Sequence, residues 1–213
     1  MAQEMTGISV TGNGVAYGEP DMATVELGVQ ITHEDLAAAN EEAAQTATQL
    51  FAAMAELGIA EEDVRTAYFN VWLETNYESR LEAGPSTPQY RVSNVLSVTV
   101  RDIDQVGAVL SRGLEAGANT VNSVNYSISN SDALADEARE LAVADARRKA
   151  EQLASLSGVS LGEVVMIQDG QGSSAPPAFR AAFSAEAADV PVSGGQLAVN
   201  ASVQIRFALV QTE

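Results

Sequence analysis

Apolar and polar residues alternate with a period of two in several stretches, which is typical of strands that bury one face. In residues 21–32, for example, four branched apolar residues occupy every second position from Val25 to Ile31. Turn-forming residues such as Gly18, Glu19 and Pro20 separate these stretches. The pattern predicts strands at 7–17, 21–32, 65–78, 89–101, 119–129, 161–168 and 196–210.

Three other stretches repeat their apolar residues every three or four positions, the period of an amphipathic helix. They predict helices at about 34–57, 103–116 and 131–157. A glycine follows each of them, at Gly58, Gly117 and Gly158, where a helix commonly ends.

The order of these elements predicts the fold class. From 21 to 129 it is strand–helix–strand–strand–helix–strand, the ferredoxin-like order. Helix–strand–strand then recurs over 130–210, and QYRVSNVLSVTV (89–100) aligns without gaps with QLAVNASVQIRF (196–207). We therefore expect one α+β domain over 1–213, with antiparallel sheets, helices packed on one face, a βαββαβ unit at 21–129 and a partial αββ repeat at 130–210.

The third predicted helix contains VADARRKAEQLA (143–154), in which Asp145 precedes Lys149 by one turn. This spacing and order favour an ion pair. Catalysis would require a third reactive group, and the sequence offers none, so the pattern favours a structural pair. The alternative is a small-molecule or enzymatic site between sheet and helix near the pair. On a helical wheel the pair shares its face with Leu134, Leu141, Leu153 and Leu156.

Two further features of the sequence are candidates for chemistry. His33 is the only histidine, and without cysteine it cannot form a zinc site of the usual type. A surface or capping role is therefore favoured for it. Gly12-Asn13-Gly14 is followed by another predicted strand instead of a helix, so it is not a dinucleotide loop. We expect it to form a bulge or bend.

Large aromatic residues are concentrated in the two predicted strands at the centre of the chain. Strand alternation places Phe69, Val71 and Leu73 on one face, and Tyr68 and Trp72 on the other. If one face meets the helices, a second layer covers the other face or it binds protein. The candidate interface residues are Tyr68, Trp72, Tyr77 and Tyr90.

The composition excludes several classes of function. A net charge of −18 and a pI near 4.2 leave no basic surface for nucleic acid. The absence of cysteine excludes disulfides and thiolate catalysis. No apolar run approaches the roughly 18–20 residues of a membrane-spanning helix. The N-terminus lacks the pattern of a signal peptide, so the chain is expected to be cytoplasmic or a mature form without its leader.

Five stretches carry a family resemblance: ISVTGNGVAYGEPDMATVELGV (8–29), the strand end Val-Thr-Val-Arg-Asp (98–102), Gly117-Ala118-Asn119, Asp145-Ala146-Arg147-x-Lys149-Ala150-Glu151 and Leu161-Gly162. Together they resemble the SIMPL-domain family of bacterial periplasmic immunogenic and oxidative-stress defence proteins. The resemblance covers residues 8–209. It implies a periplasmic or outer-envelope location and, as in some members, a homo-oligomer. It supplies no catalytic residue and no cofactor, so none is expected. The loop at 170–195 and the strong acidity depart from the family.

The resulting hypothesis is a non-enzymatic, exported SIMPL-domain protein of the cell envelope. It would act through self-association or by binding envelope partners, with a link to oxidative-stress defence. The competing hypothesis is the ligand-binding or enzymatic site near Asp145 and Lys149.

Overall fold

A computed structural model of the protein describes residues 7–74, 88–170 and 195–210. Every predicted helix and strand is present in kind, with ends shifted by a few residues. The predicted loop at 170–195 lies almost wholly outside the described residues, as does Tyr77. In chain order the elements are β1 (Ile8–Gly18), β2 (Met22–His33), α1 (Leu36–Glu56), β3 (Val64–Glu74), β4 (Gln89–Val100), α2 (Val106–Glu115), β5 (Thr120–Ser127), α3 (Asp132–Leu156), β6 (Ser160–Gly170) and β7 (Leu197–Val210).

These elements form two antiparallel sheets with helices, which confirms the α+β class. They belong to two units. The β1 unit comprises the described residues 7–20, 128–170 and 195–210, and the β2 unit comprises 21–74 and 88–127. The strands β1 and β2, although separated by only a short turn, therefore join different sheets. That the chain folds as one domain over 1–213 stays a prediction.

The β2 unit has the ferredoxin-like topology. Its sheet order is β3-β4-β2-β5, and all neighbouring strands are antiparallel. The helices α1 and α2 pack on one face, because the alternate residues of β2 and β4 that point there are apolar. The fully buried side chains at the centre of this core are Val25, Leu27, Leu50, Met54, Leu96 and Val98.

The β1 unit has three strands in the order β1-β7-β6, with α3 against one face. Its core joins Val10, Ile205 and Phe207 to alanines of α3. On the opposite face the register places polar residues side by side, with Thr11 beside Gln204 and Asn13 beside Ser202.

Both units share a strand–helix–strand–strand order in which the third strand is central. In the β1 unit β7 lies between β1 and β6, and in the β2 unit β4 lies between β2 and β3. The two segments that align in sequence, 89–100 and 196–207, belong to these central strands. The shared order extends the predicted αββ repeat to include β1, while its origin by duplication stays a prediction.

Candidate functional site

The buried stripe of α3 consists of alanines. Ala138, Ala142, Ala146 and Ala150 recur every fourth residue and are fully buried. The wheel face that carries the four leucines, taken as the apolar stripe of the helix, is therefore not its buried face. Leu141 and Leu153 are nearly half exposed, Leu156 is more exposed, and Leu134 is half-buried. The leucines occupy the flank of the helix, and that flank also carries Asp145 and Lys149.

Alanines face the sheet because β1 brings glycine against them. A Cβ atom on Gly12 would lie 2.0 Å from the carbonyl oxygen of Ala142, and one on Gly14 would lie 2.0 Å from that of Ala138. The strand is regular throughout, with an unbroken register against β7 from Ile8 to Gly18. The predicted bulge or bend at Gly12-Asn13-Gly14 is therefore wrong. The two glycines allow the helix backbone to approach the strand closely.

Asp145 and Lys149 reach the outer edge of β1. Lys149 Nζ lies 2.6 Å from Asp145 Oδ2, as the i,i+4 spacing predicts. The same Oδ2 atom accepts a hydrogen bond of 3.0 Å from the backbone nitrogen of Asn13. Lys149 Nζ also donates to the carbonyl oxygen of Thr11 at 2.9 Å. The pair is thus hydrogen-bonded to the backbone of a strand more than 130 residues earlier in the chain.

This environment strongly stabilises the ionised form of Asp145. The hydrogen bond from Lys149 lowers the pKa of the carboxyl group most, followed by those from the Asn13 amide and the Arg148 guanidinium. The Arg148 side chain binds the other carboxylate oxygen, Oδ1. Both carboxylate oxygens therefore have partners, while the structural role of the pair stays a prediction.

In the β2 unit, the last two residues of the motif Val-Thr-Val-Arg-Asp, Arg101 and Asp102, also use their side chains for local hydrogen bonds. Arg101 donates two hydrogen bonds to Asp63, of 2.7 and 2.8 Å, in the forked geometry of arginine with a carboxylate. The hydrogen bonds from Arg101 lower the pKa of Asp63. Asp102 caps the following 3-10 helix, Ile103–Gln105, through the amide of Asp104.

Asn119, in the Gly117-Ala118-Asn119 motif, extends the edge of β2. The pairing of β5 with β2 stops at Gly28 and Thr120. Beyond it the Asn119 side chain accepts from the amide of Gln30 at 2.8 Å and donates to its carbonyl oxygen at 2.9 Å. The side-chain amide therefore takes the place of one more residue of β5.

The aromatic candidates lie on β3 and β4. The register confirms the predicted faces of β3, with Phe69, Val71 and Leu73 on the helix side and Tyr68 and Trp72 on the other. The hydroxyl of Tyr68 accepts from Asn122 Nδ2 of β5, so the ring lies along the sheet face.

Tyr90 does not join Tyr68 and Trp72. It is paired with Leu73 and His33, which places it on the helix side of the sheet. Of the three candidate interface residues that the structure describes, Tyr68 and Trp72 thus share a face of the sheet.

Large apolar side chains of β3 are exposed on the helix side of the sheet, which the sequence did not predict. Phe69 and Leu73 are 48% and 58% exposed, although they are on the helix side. The cause is that β3 is the edge strand, while α1 packs over β2 and β4. Trp72 is 47% exposed on the opposite face. The ferredoxin-like order itself could have indicated this, because it places the second strand at an edge.

His33 has a local role at the start of α1. Its Nδ1 atom accepts from the amide of Asp35, and the Asp35 side chain caps the helix through the amides of Ala37 and Ala38. This agrees with the expected capping role. In the described parts of the chain, no group of three or more acidic or histidine side chains could hold a metal ion.

Comparison with known proteins gives one family. The sequence profile of the SIMPL family, described as "Protein of unknown function (DUF541)", matches residues 8–207. The chain is 34% identical to the "26 kDa periplasmic immunogenic protein" of Brucella melitensis, over 98% of this chain and 87% of that protein. It is 27% identical to "Uncharacterized protein YggE" of Escherichia coli (strain K12), over 92% of this chain and 78% of that protein.

The expected periplasmic location agrees with the name of the Brucella melitensis protein and of a second relative from Brucella abortus, which is 33% identical. Within residues 7–74, 88–170 and 195–210, none of the helices has the length and apolar character needed to span a bilayer.

Proposed function

We propose a function that proceeds from one fact: the chain belongs to the SIMPL family. The protein is a non-catalytic component of the bacterial periplasm that acts by self-association through the outer edge of β3. The observation that carries this proposal is the segment 68–74 of β3, an edge strand with exposed apolar side chains on both faces. Such an edge is a template for pairing with another strand.

The other sheet edges are less suited to pairing. The register of β6 against β7 shifts twice, between Leu161 and Met166, and bulges of this kind discourage further pairing. β5 is shorter, and its pairing with β2 is also shifted. The free edge of β1 is occupied by Asp145 and Lys149. β3 has one shift, before Tyr68, and is regular from there to Glu74.

The segment 68–74 is also self-complementary. A two-fold axis through Val71 would pair Phe69 with Leu73 of a second copy, and Val71 with itself. The only charged residue of the segment is Glu74, and Arg91 neutralises it at 2.6 Å. The contact would therefore bury apolar groups and bring no unpaired acidic side chain of this segment against another, although the chain as a whole has a net charge of −18.

The absence of catalysis is part of the proposal. Asp145 and Lys149, the residues considered for an enzymatic site, use their hydrogen-bonding groups on each other and on the backbone of β1. The link to oxidative-stress defence stays a prediction from the resemblance.

Sedimentation velocity over a wide concentration range tests the proposal. The wild-type protein is expected to associate, and Val71→Lys is expected to be monomeric, because it places a charge at the centre of the contact. Val165→Lys is the matched control: it introduces the same charge on β6, at a residue that is 60% exposed. It should associate like the wild type.

Two readouts sharpen the test. Trp72 is the only tryptophan, so association should shift its fluorescence emission to shorter wavelength. Added salt should strengthen association by screening the repulsion between acidic copies. A wild-type protein that stays monomeric at all concentrations and salt levels, or a Val71→Lys variant that still associates, overturns the proposal.

A further inference from the structure

We infer that the Asp145–Lys149 pair is an edge guard, which keeps a further strand from pairing with the free edge of β1. In a sheet, an outer strand presents unpaired N–H and C=O groups on alternate residues. The Asn13 N–H and the Thr11 C=O are such groups, and the guard binds both. Side chains of α3 thus occupy two neighbouring groups, near the middle of this edge, at which an added strand would form hydrogen bonds.

In the β2 unit a further strand covers the edge that corresponds to the free edge of β1. β2 has the same place in its unit as β1, and its outer edge is covered by β5 and by the side chain of Asn119. The described residues of the β1 unit contain no fourth strand. There the side chains of Asp145 and Lys149, from α3, bind the edge of β1 instead.

β1 needs a guard more than the other edges do. It is 11 residues long, and its register against β7 has no shift, so no bulge interrupts its edge. Its solvent-facing residues include Val15 and Tyr17, which are exposed and favour strand formation.

The inference extends beyond the proposed function and does not require it, so the test uses a Val71→Lys background, in which pairing through β3 is blocked. In this background Asp145→Ala together with Lys149→Ala should produce new oligomers by sedimentation velocity. The matched control replaces Arg147 and Glu151 with alanine. Arg147 and Glu151 also form an i,i+4 ion pair on α3, with 3.9 Å between Arg147 Nε and Glu151 Oε1. Replacing them removes one positive and one negative charge, as in the test variant, and should leave the protein monomeric.

A rescue distinguishes edge pairing from partial unfolding. Asn13→Pro removes the exposed N–H group from the edge, so a strand cannot pair there even without the guard. Added to the unguarded variant, it should restore the monomer. Oligomers that persist with Asn13→Pro overturn the inference, as does an unguarded variant that is folded and monomeric.

Hydrogen exchange tests the guard at a single amide. In the wild type the Asn13 amide is bound by Asp145, and Asp145→Ala should increase its exchange rate by about tenfold. The Asp145→Asn side chain keeps an oxygen acceptor and should preserve most of the protection. This measurement needs only single variants, so it decides the matter if the double variant fails to fold: unchanged exchange in Asp145→Ala overturns the inference.

Discussion

The carboxylate of Asp145 accepts a hydrogen bond of 3.0 Å from the backbone nitrogen of Asn13, a residue 132 positions earlier in the chain. Lys149, paired with Asp145, binds the carbonyl oxygen of Thr11. The helix motif at residues 145–151 and the glycine-containing strand β1 therefore form one contact. The pair, for which the sequence favours a structural role, is hydrogen-bonded to the edge strand of a sheet.

The Asp145–Lys149 contact predicts a coupled response to substitution. Asp145→Asn leaves the cations of Lys149 and Arg148 without a carboxylate, and Lys149→Met leaves the Thr11 carbonyl without its donor. Each change should lower the melting temperature by several degrees, and the double variant should lose less than the sum of the two. Thermal melting by circular dichroism measures this. Strictly additive losses would show that the two residues act independently.

The same carboxylate predicts how stability depends on pH. Its pKa in the folded protein lies well below the ordinary value of 3.8, mainly because Lys149, Asn13 and Arg148 bind the ionised form. Its contribution to stability is therefore complete above pH 3.8 and is lost as the pH falls toward the pKa of the folded state.

Denaturant unfolding of the wild type and of Asp145→Asn, at neutral and at acidic pH, tests this dependence. The wild type should be more stable at neutral pH, and the difference should shrink below about pH 4. Other acidic groups, such as Asp63, contribute equally to both proteins, so they cancel in the comparison. A difference that stays constant down to low pH contradicts the assignment.

The close approach of α3 to β1 predicts that Gly12→Ala is severely destabilising. The new Cβ atom would lie 2.0 Å from the Ala142 carbonyl oxygen and 2.6 Å from the Ala146 nitrogen. Both are backbone atoms, which can move only if the helix moves. We expect a loss of about 3 kcal/mol in the free energy of unfolding, at the upper end for overpacking.

Gly107→Ala is the control for this change. It lies in α2, where a Cβ atom would have no neighbour within 4 Å. Alanine there should raise the free energy of unfolding by about 0.5–1 kcal/mol, because glycine is unfavourable in a helix. Equal effects of the two substitutions would contradict the packing account.

The sequence predicted the element types and most of the topology, because the periods of the apolar pattern are local and strong. The two faces of β3 follow from alternation alone, and the ferredoxin-like order follows from the sequence of elements. The Asp145–Lys149 pair was also identified from its spacing.

The sequence could not predict which distant element packs against each helix or strand. The wheel gives leucine more weight than alanine, yet alanine faces the sheet, because Gly12 and Gly14 leave room only for a small side chain. The glycines suggested a bulge since a bulge is a local feature, whereas their role depends on a helix more than a hundred residues away. Likewise, the exposure of Phe69 reflects the position of β3 in the sheet.

The bond pattern of Asn119 predicts a loss of stability that is independent of charge. Its side chain makes two hydrogen bonds to the backbone of Gln30, and Asn119→Ala removes both. We expect a decrease of about 1–3 kcal/mol in the free energy of unfolding. The free energy of unfolding of Asn119→Asp should lie between those of the wild type and Asn119→Ala. The new carboxylate can still accept from the Gln30 amide, but it repels the Gln30 carbonyl oxygen.

Asn125→Ala is the matched control for Asn119→Ala. It removes an exposed asparagine from β5 whose amide donates to the side chain of Ser123. Its effect should be smaller, since no backbone group of β2 loses a partner. Were both alanine variants equally stable, Asn119 would not act as an extension of β5. If Asn119→Ala is less stable than Asn125→Ala, the side-chain amide of Asn119 extends β5 along the outer edge of β2.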